Sequence, residues 1–232
     1  MDETVVAYLP AVLRGTLTTL SVALVSLCVA CVLGLAGAAS RLSRIVALRR
    51  AATTYTTVVR GVPDLVLMLL LYFGGQRLLN GVVAACWPGS SADLDPFVAG
   101  TLTIGFVYGA YLGETFRGAW LAIPPGQMEA ARACGMTERR VFLRVSGPLM
   151  LRHALPALSN NWLVMLKSTA IISVIGLPDL MQRASLAAGA TRRPFVFYML
   201  AAAVYLAITT LSELALRALQ HRLRTHVQEV RL

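Results

Sequence analysis

The sequence predicts an all-α integral membrane protein of about five transmembrane helices. Of its 232 residues, 57% are apolar and only 14% charged, whereas a soluble domain of this length carries nearer a quarter charged. The apolar residues fall in long runs and not in the short periodic stripes of a globular core, which points to lipid as the solvent. The basic residues gather between those runs, as the positive-inside rule requires.

The first apolar run, Leu17 to Ala39, lies within a span of about 13–40. At 1.5 Å per residue the run covers about 35 Å, enough to cross a bilayer with some tilt. Met1-Asp2-Glu3 offers no basic n-region and no cleavage site follows, so this run is expected to stay in the membrane. A second span, about 51–79, is interrupted by Arg60, Gly61, Pro63 and Asp64. Proline lacks a donor and disfavours helix at Val62, so a kink or break is expected there. Pro88, Gly89, Ser90, Asp93 and Asp95 mark a loop. In the third span, about 97–117, Gly100, Gly105, Gly109 and Gly113 would let neighbouring helices approach closely. A polar stretch from Arg117 to Arg152 follows, then spans at about 153–180 and 194–217 and a basic tail. The whole chain, 1–232, reads as one transmembrane domain.

An odd number of spans puts the termini on opposite sides. With the N-terminus outside, the inner segments hold Arg41, Arg44, Arg49 and Arg50, six arginines from Arg117 to Arg152, and four from Arg217 to Arg231. The outer segments hold Arg77, Arg183, Arg192 and Arg193. This asymmetry predicts a periplasmic N-terminus and a cytoplasmic C-terminus.

The net charge of +10 comes from twenty arginines and a single lysine, Lys167. A nucleic-acid binder would spread such charge over a soluble face with aromatics between, so no nucleic-acid partner is expected. Cys28 and Cys31 form a Cys-x-x-Cys, but they lie inside an apolar run with no second pair nearby and read as packing residues. No metal cluster or catalytic triad is visible, and His153, His221 and His226 are expected outside the spans, His153 at the very edge of the fourth.

The most informative stretch is the cytoplasmic loop, 123–148. Pro124 and Pro125 suit a helix start, and Gly135 a left-handed cap after Gln127–Cys134. Thr137 is placed to cap a second helix, with Met136 and Val141 as a hydrophobic staple. That helix carries Val141, Phe142, Val145 and Leu149 on one face and Arg139, Arg140 and Arg144 on others. Pro148 ends it or opens the next span. Periodicity alone leaves two readings equal: a connector lying on the lipid surface, or a knob that docks a cytoplasmic partner.

Glu129-Ala130-Ala131, then Gly135, Val145 and Pro148 at their spacings, resemble the EAA loop of the membrane subunits of bacterial ATP-binding-cassette importers. This sequence has Val145 where the family has isoleucine and Gly147 where it has leucine. Arg60-Gly61-Val62-Pro63-Asp64, Glu114 to Ala119, and Asn160-Asn161-Trp162 with Lys167-Ser168-Thr169 resemble the polar and basic amino-acid permeases of that class. The resemblance covers nearly the whole chain. It implies a type I ABC importer permease fold in a bacterial inner membrane. It also implies a paralogous permease partner, two cytoplasmic ATP-binding subunits and a periplasmic substrate-binding protein that delivers an amino acid. The chain has no Gly-x-x-x-x-Gly-Lys-Ser/Thr loop. It is therefore expected to be non-catalytic and without a cofactor, with ATP and Mg bound by the ATPase subunits. In the family the EAA loop sits in a groove of the ATPase. The resemblance assigns coupling contacts to Glu129, Ala130, Ala131, Gly135 and Arg139, with Met128, Val141 and Phe142 filling the groove.

Ionisable residues inside spans are functional candidates because lipid makes them costly. Arg60 and Asp64 fall near the middle of the second span, Lys167 near the middle of the fourth, and Glu114 near the inner end of the third. Asp64 has two readings: it binds a cationic substrate side chain, or it neutralises Arg60 or Lys167. Arg60 and Lys167 either attract a substrate carboxylate or bridge spans through Asp64, Glu114, Asn160 or Asn161, and bridging is favoured. Import of basic amino acids (histidine, arginine, lysine or ornithine) is the expected function. An ion-coupled secondary transporter using Asp64 and Glu114 is the alternative, though that class often shows internal repeats and five spans show none. A membrane enzyme would need a clustered nucleophile and base, which the sequence lacks.

Overall fold

The computed structural model describes residues 3–87 and 92–224. The described chain is helical throughout: α1 (Glu3–Leu42), α2 (Val46–Gly61), α3 (Asp64–Cys86), α4 (Pro96–Leu121), α5 (Pro125–Ala133), α6 (Glu138–Val141), a π turn (Phe142–Ser146), α7 (Gly147–Ser168), a 3-10 segment (Thr169–Ile175), α8 (Leu180–Thr191) and α9 (Pro194–Arg224). Five helical stretches among the described residues are long and apolar enough to cross a membrane: Val6–Leu42, Asp64–Cys86, Pro96–Leu121, Glu138–Ile175 and Pro194–Arg222.

α4 is the axis. Its apolar stretch is 67% buried, against a third or less in the other four spans, so the others wrap around it. Lipid gives apolar helices no hydrophobic reason to associate, so close approach through small residues must do the work. Gly105 and Gly109 lie one turn apart on the face of α4 that meets α1. A Cβ at Gly105 would stand 2.5 Å from Val29 Cγ1, and one at Gly109 2.8 Å from Leu33 Cβ. Polar pairs reinforce the contact, because buried donors have no water to turn to. Ser26 Oγ donates to the Thr101 carbonyl at 3.1 Å, and Tyr55 Oη to the Phe106 carbonyl at 2.5 Å. The start of α4 is fixed by Asp95, whose side chain accepts from the Val98 amide, with Pro96 in the first turn. Gln76 and Asn80 of α3 hold the approach to it by accepting from the amides of Leu94 and Ala92. Pro88, Gly89 and Ser90 lie outside the described residues, as do His226 and Arg231.

The interruption at Pro63 is a complete break. Val62 is extended (φ −107°, ψ 137°) and Pro63 precedes the first turn of α3. The apolar stretch of the second span thus lies in α3, and α2, packed on α1 and α4, precedes it across the break. The fourth span also differs from its expected limits. It begins at Glu138, because α6, the π turn and α7 run on without interruption, and its α-helical part ends at Ser168. Pro148 thus opens α7.

The segment after Ile175 holds a helix that periodicity did not reveal. Gly176 turns left-handed (φ 88°), and Asp179 then caps α8 by accepting from the Gln182 amide at 2.8 Å. At about 18 Å, α8 is too short to span a bilayer. It packs instead against α1 and α9. The Leu180 amide donates to Thr19 Oγ1 at 3.1 Å, and a Cβ at Gly15 would stand 2.7 Å from the Asp179 carbonyl oxygen.

The α1–α4 seam makes a direct prediction. Gly105→Leu should destabilise the protein by about 1–3 kcal/mol through overpacking, read as a lower midpoint of thermal unfolding in detergent. Gly118→Ala, with nothing within 4 Å of the added carbon, should leave that midpoint unchanged.

Candidate functional site

Two regions carry the polar and motif residues, one at mid-depth and one at the end of the bundle bearing α5 and α6. The break between α2 and α3 builds the first. It leaves Arg60 in the last turn of α2 and Asp64 in the first turn of α3. Each charge therefore sits at the helix end whose dipole favours it, a cation at a C-terminus and an anion at an N-terminus. Asp64 lines a small cavity with Met68, Thr103, Tyr108, Ser168 and Ile171. Tyr108 lies halfway along the 26-residue α4, which places Asp64 near the middle of the bundle. Tyr108 Oη and Ser168 Oγ are hydrogen-bonded at 2.7 Å. The Arg60 guanidinium lies 5.2 Å over the ring of Tyr111, a cation–π geometry.

The favoured bridging partners are not the ones observed. Among the described residues, no ion pair joins Asp64 to Arg60 or Lys167. Glu114 pairs instead with Arg41 of α1 and with Arg117 one turn along α4, at 2.9 Å for the latter. Arg41 also donates to Thr56 of α2 at 3.3 Å. Glu114 thus ties three helices together and stands apart from Asp64. Asn161 donates to Thr115 Oγ1 at 3.0 Å, on the same level as Glu114. Asn160 and Lys167 are exposed along one side of α7, and Arg60 is exposed too. The six polar residues picked out by sequence therefore divide into a mid-depth set and a lower set. Tyr108, Tyr111 and Ser168 are not marked by the sequence, because hydroxyl and aromatic groups do not stand out within an apolar run, and Arg41 stands out only as one of the inner arginines.

The second region is a knob. Pro124 and Pro125 start α5, and Gly135 reverses the chain with φ 77°. Its amide donates to the Arg132 carbonyl at 2.9 Å, and the Met136 amide to the Ala131 carbonyl at 3.2 Å. Arg132 then clasps Glu138 with two hydrogen bonds, at 2.7 and 3.2 Å, across the turn. That bond pushes the Arg132 guanidinium pKa above its ordinary value. Thr137 occupies the N-cap position of α6, but its side chain makes no capping bond. Glu129, Ala130, Gly135 and Arg139 face outwards, whereas Ala131 and Val141 are buried, Val141 at 2% exposure. Val141 is thus part of the knob's own core and cannot fill a partner's groove, contrary to expectation. Phe142 lies 6.2 Å from Trp120 and lines a crevice with Leu35, Leu42 and Met150, yet it remains half exposed.

The π turn explains the departure at Gly147. Its amide bonds to the Phe142 carbonyl five residues back, and a Cβ there would stand 2.7 Å from that oxygen. A glycine lets the wide turn form without breaking the helix. The knob's second limb and α7 are consequently one rod from Glu138 to Ser168, about 46 Å long. Its far end is the Ser168 that faces Asp64.

A buried axis, a helix break at mid-depth and a protruding knob joined rigidly to a spanning helix define a membrane permease subunit. The chain belongs to the family of binding-protein-dependent transport system inner membrane components, whose model matches residues 30–225. It is 49% identical over 178 residues to the histidine/lysine/arginine/ornithine transport system permease protein HisQ of Escherichia coli, covering 77% of this chain and 78% of that one. It is 43% identical over 210 residues to the octopine transport system permease protein OccQ of Rhizobium meliloti, covering 90% and 89%. The arginine ABC transporter permease protein ArtQ of Escherichia coli is 37% identical, over 74% and 77%. Among solved structures, an amino acid ABC transporter crystallised with histidines superposes with a TM-score of 0.79 at 33% identity, covering 94% of this chain and 96% of that one. A methionine ABC transporter, MetNI, in an inward facing conformation gives 0.75 at 21% identity over 96% and 99%, a likeness of fold. The chain therefore has the type I importer permease fold. It is the permease subunit of an ABC transporter, works with ATPase and substrate-binding components, and leaves ATP hydrolysis to the separate ATPase.

The π turn is open to test. Gly147→Leu should distort the junction while leaving the spans intact. In the reconstituted complex we expect transport per ATP hydrolysed to fall several-fold, with the permease still present in the membrane at ordinary levels.

Proposed function

We propose that this permease imports basic amino acids, namely histidine, arginine, lysine and ornithine, into the bacterial cytoplasm as one half of a pair with a paralogous permease. The observation that carries the reading is Asp64: a mid-depth carboxylate at a helix break, with no cation bonded to it among the described residues. The carboxyl group lies at the positive end of α3. In a low-dielectric cavity such a carboxylate attracts a cationic side chain strongly. Tyr108, Thr103 and Ser168 supply hydroxyls beside it. Arg60, held over Tyr111, is the cation available to a substrate carboxylate. The names of the relatives HisQ, OccQ and ArtQ support a cationic or guanidino-bearing substrate.

The exposed side of α7 supports pairing. Asn160 and Lys167 lie there together with His153, a combination that hydrocarbon disfavours and a second permease or a water-lined path accommodates. The arginine asymmetry supports a periplasmic N-terminus, which puts the knob and the C-terminus in the cytoplasm. Glu129, Ala130, Gly135 and Arg139 then form the face that docks the ATPase, while Ala131 and Val141 keep that face rigid from within. Asn161 and Glu114 brace the helices between the two regions. ATP and Mg stay with the ATPase subunits.

The test is substrate-stimulated ATPase activity and uptake in proteoliposomes holding both permeases, the ATPase and the binding protein. Asp64→Asn should reduce uptake of arginine and lysine at least ten-fold, the equivalent of about 1.4 kcal/mol, and remove the preference for basic over neutral amino acids. Unchanged selectivity would exclude Asp64 as the substrate's ligand. Uptake that continued without ATP, driven by an ion gradient, would overturn the assignment as a whole.

A further inference from the structure

A cavity of about 570 Å³ opens between the ends of α1, α2 and α4 nearest the knob, lined by Arg41, Arg49, Arg50, Arg117, Thr53 and Thr54. Four arginines line it, and the one carboxylate bonded to any of them among the described residues, Glu114, is shared by Arg41 and Arg117. Among the described residues, Arg49 and Arg50 have no carboxylate partner. Like charges lining one recess repel one another, and an anion between them relieves that repulsion. Neither substrate recognition nor the knob's docking face uses this cavity.

We propose that the cavity binds the phosphate of an anionic phospholipid headgroup, such as that of phosphatidylglycerol. Guanidinium groups present paired donors that match phosphate oxygens, and the hydroxyl of Thr54 stands beside them. The source is a lipid because of what surrounds the arginines. Leu42, Ile45, Val46 and Leu48, immediately before Arg49, are all exposed, Ile45 at 59%. Apolar and cationic side chains exposed side by side at the end of a spanning helix fit the boundary between acyl chains and headgroups. A soluble anion would need the arginines alone. The bound phosphate would neutralise Arg49 and Arg50 and join α2 to the Arg41–Glu114–Arg117 bridge. Through α4 that bridge leads directly into α5, so the lipid would stiffen the base on which the knob stands. The inference is independent of which amino acid is carried.

The test uses the assembled transporter in nanodiscs of phosphatidylethanolamine with or without phosphatidylglycerol. Retained lipid is measured by native mass spectrometry after extraction, and substrate-stimulated ATPase activity alongside. The wild-type complex should retain phosphatidylglycerol and be more active when it is present. Arg49→Gln/Arg50→Gln should reduce retention roughly ten-fold or more and abolish the dependence of activity on that lipid, while Arg49→Lys/Arg50→Lys should keep most of both. Equal retention by the glutamine variant would overturn the proposal. So would displacement of the lipid by millimolar inorganic phosphate, which would mark a soluble-anion site. Loss of ATPase subunit association in the glutamine variant, with lipid retention unaltered, would mark the cavity as a protein contact and overturn it equally. Because retention is read without transport, its failure is separable from any failure of the basic amino-acid assignment.

Discussion

The structure depends on how closely α1 can approach α4. Without a hydrophobic drive between helices in lipid, that contact rests on the missing side chains of Gly105 and Gly109 and on a few polar bonds such as Ser26 to Thr101. Once α4 is fixed as the buried axis, everything functional is placed along it. Tyr108 at its midpoint meets the Asp64 cavity, Glu114 further along draws in α1 and α2, and Trp120 near its end meets Phe142 of the π turn. A looser seam would disperse all three levels at once.

The second constraint is backbone satisfaction at mid-depth. A helix break in hydrocarbon is tolerable only where protein or a polar cavity surrounds it. Here α4 and Ser168 line the small cavity beside it, and the break brings a benefit. Two helix ends meet there, so Arg60 and Asp64 sit where dipoles stabilise them. The rod from Glu138 to Ser168 links this place to the knob. On the proposed reading, closure of the ATPases moves the knob, the rod carries the motion, and Ser168 shifts against Asp64. Packed elements of this kind switch between discrete arrangements and do not deform continuously.

Much of this was legible in the sequence because lipid restricts what a chain can do. The five spans, the break at Pro63 and the left-handed turn at Gly135 follow from run length, proline chemistry and glycine φ. The EAA-like spacing marked the knob. Charge partners one turn apart, such as Glu213 and Arg217, follow from helix spacing, but partners on different helices were not legible. Asp64 appeared able to pair with Arg60 or Lys167, yet depth along one helix says nothing about which face of another lies opposite. Glu114 went to Arg41, seventy-three residues earlier in the chain. Val141 looked like a groove-filling residue because its face was apolar, and the same apolarity serves equally well to bury it. Helix α8 is hidden although Asp179 and Gln182 stand at capping-box spacing, because the apolar run of the fourth span continues up to its start. The meaning of Gly147 needed the π turn, which has no sequence signal of its own.

The central claim is that the knob from Cys134 and the rod to Ser168 move as one body between the ATPase and the substrate cavity. Electron–electron resonance distances in the assembled complex measure this directly, with spin labels at exposed Cys134, Val164→Cys and Phe73→Cys, the other cysteines being replaced. The account predicts that the distance from Cys134 to residue 164 stays constant between nucleotide-free and ATP-bound states, while that from residue 164 to residue 73 changes. A knob-to-α7 distance that shifts with nucleotide, over an unchanged α7-to-α3 distance, would contradict it.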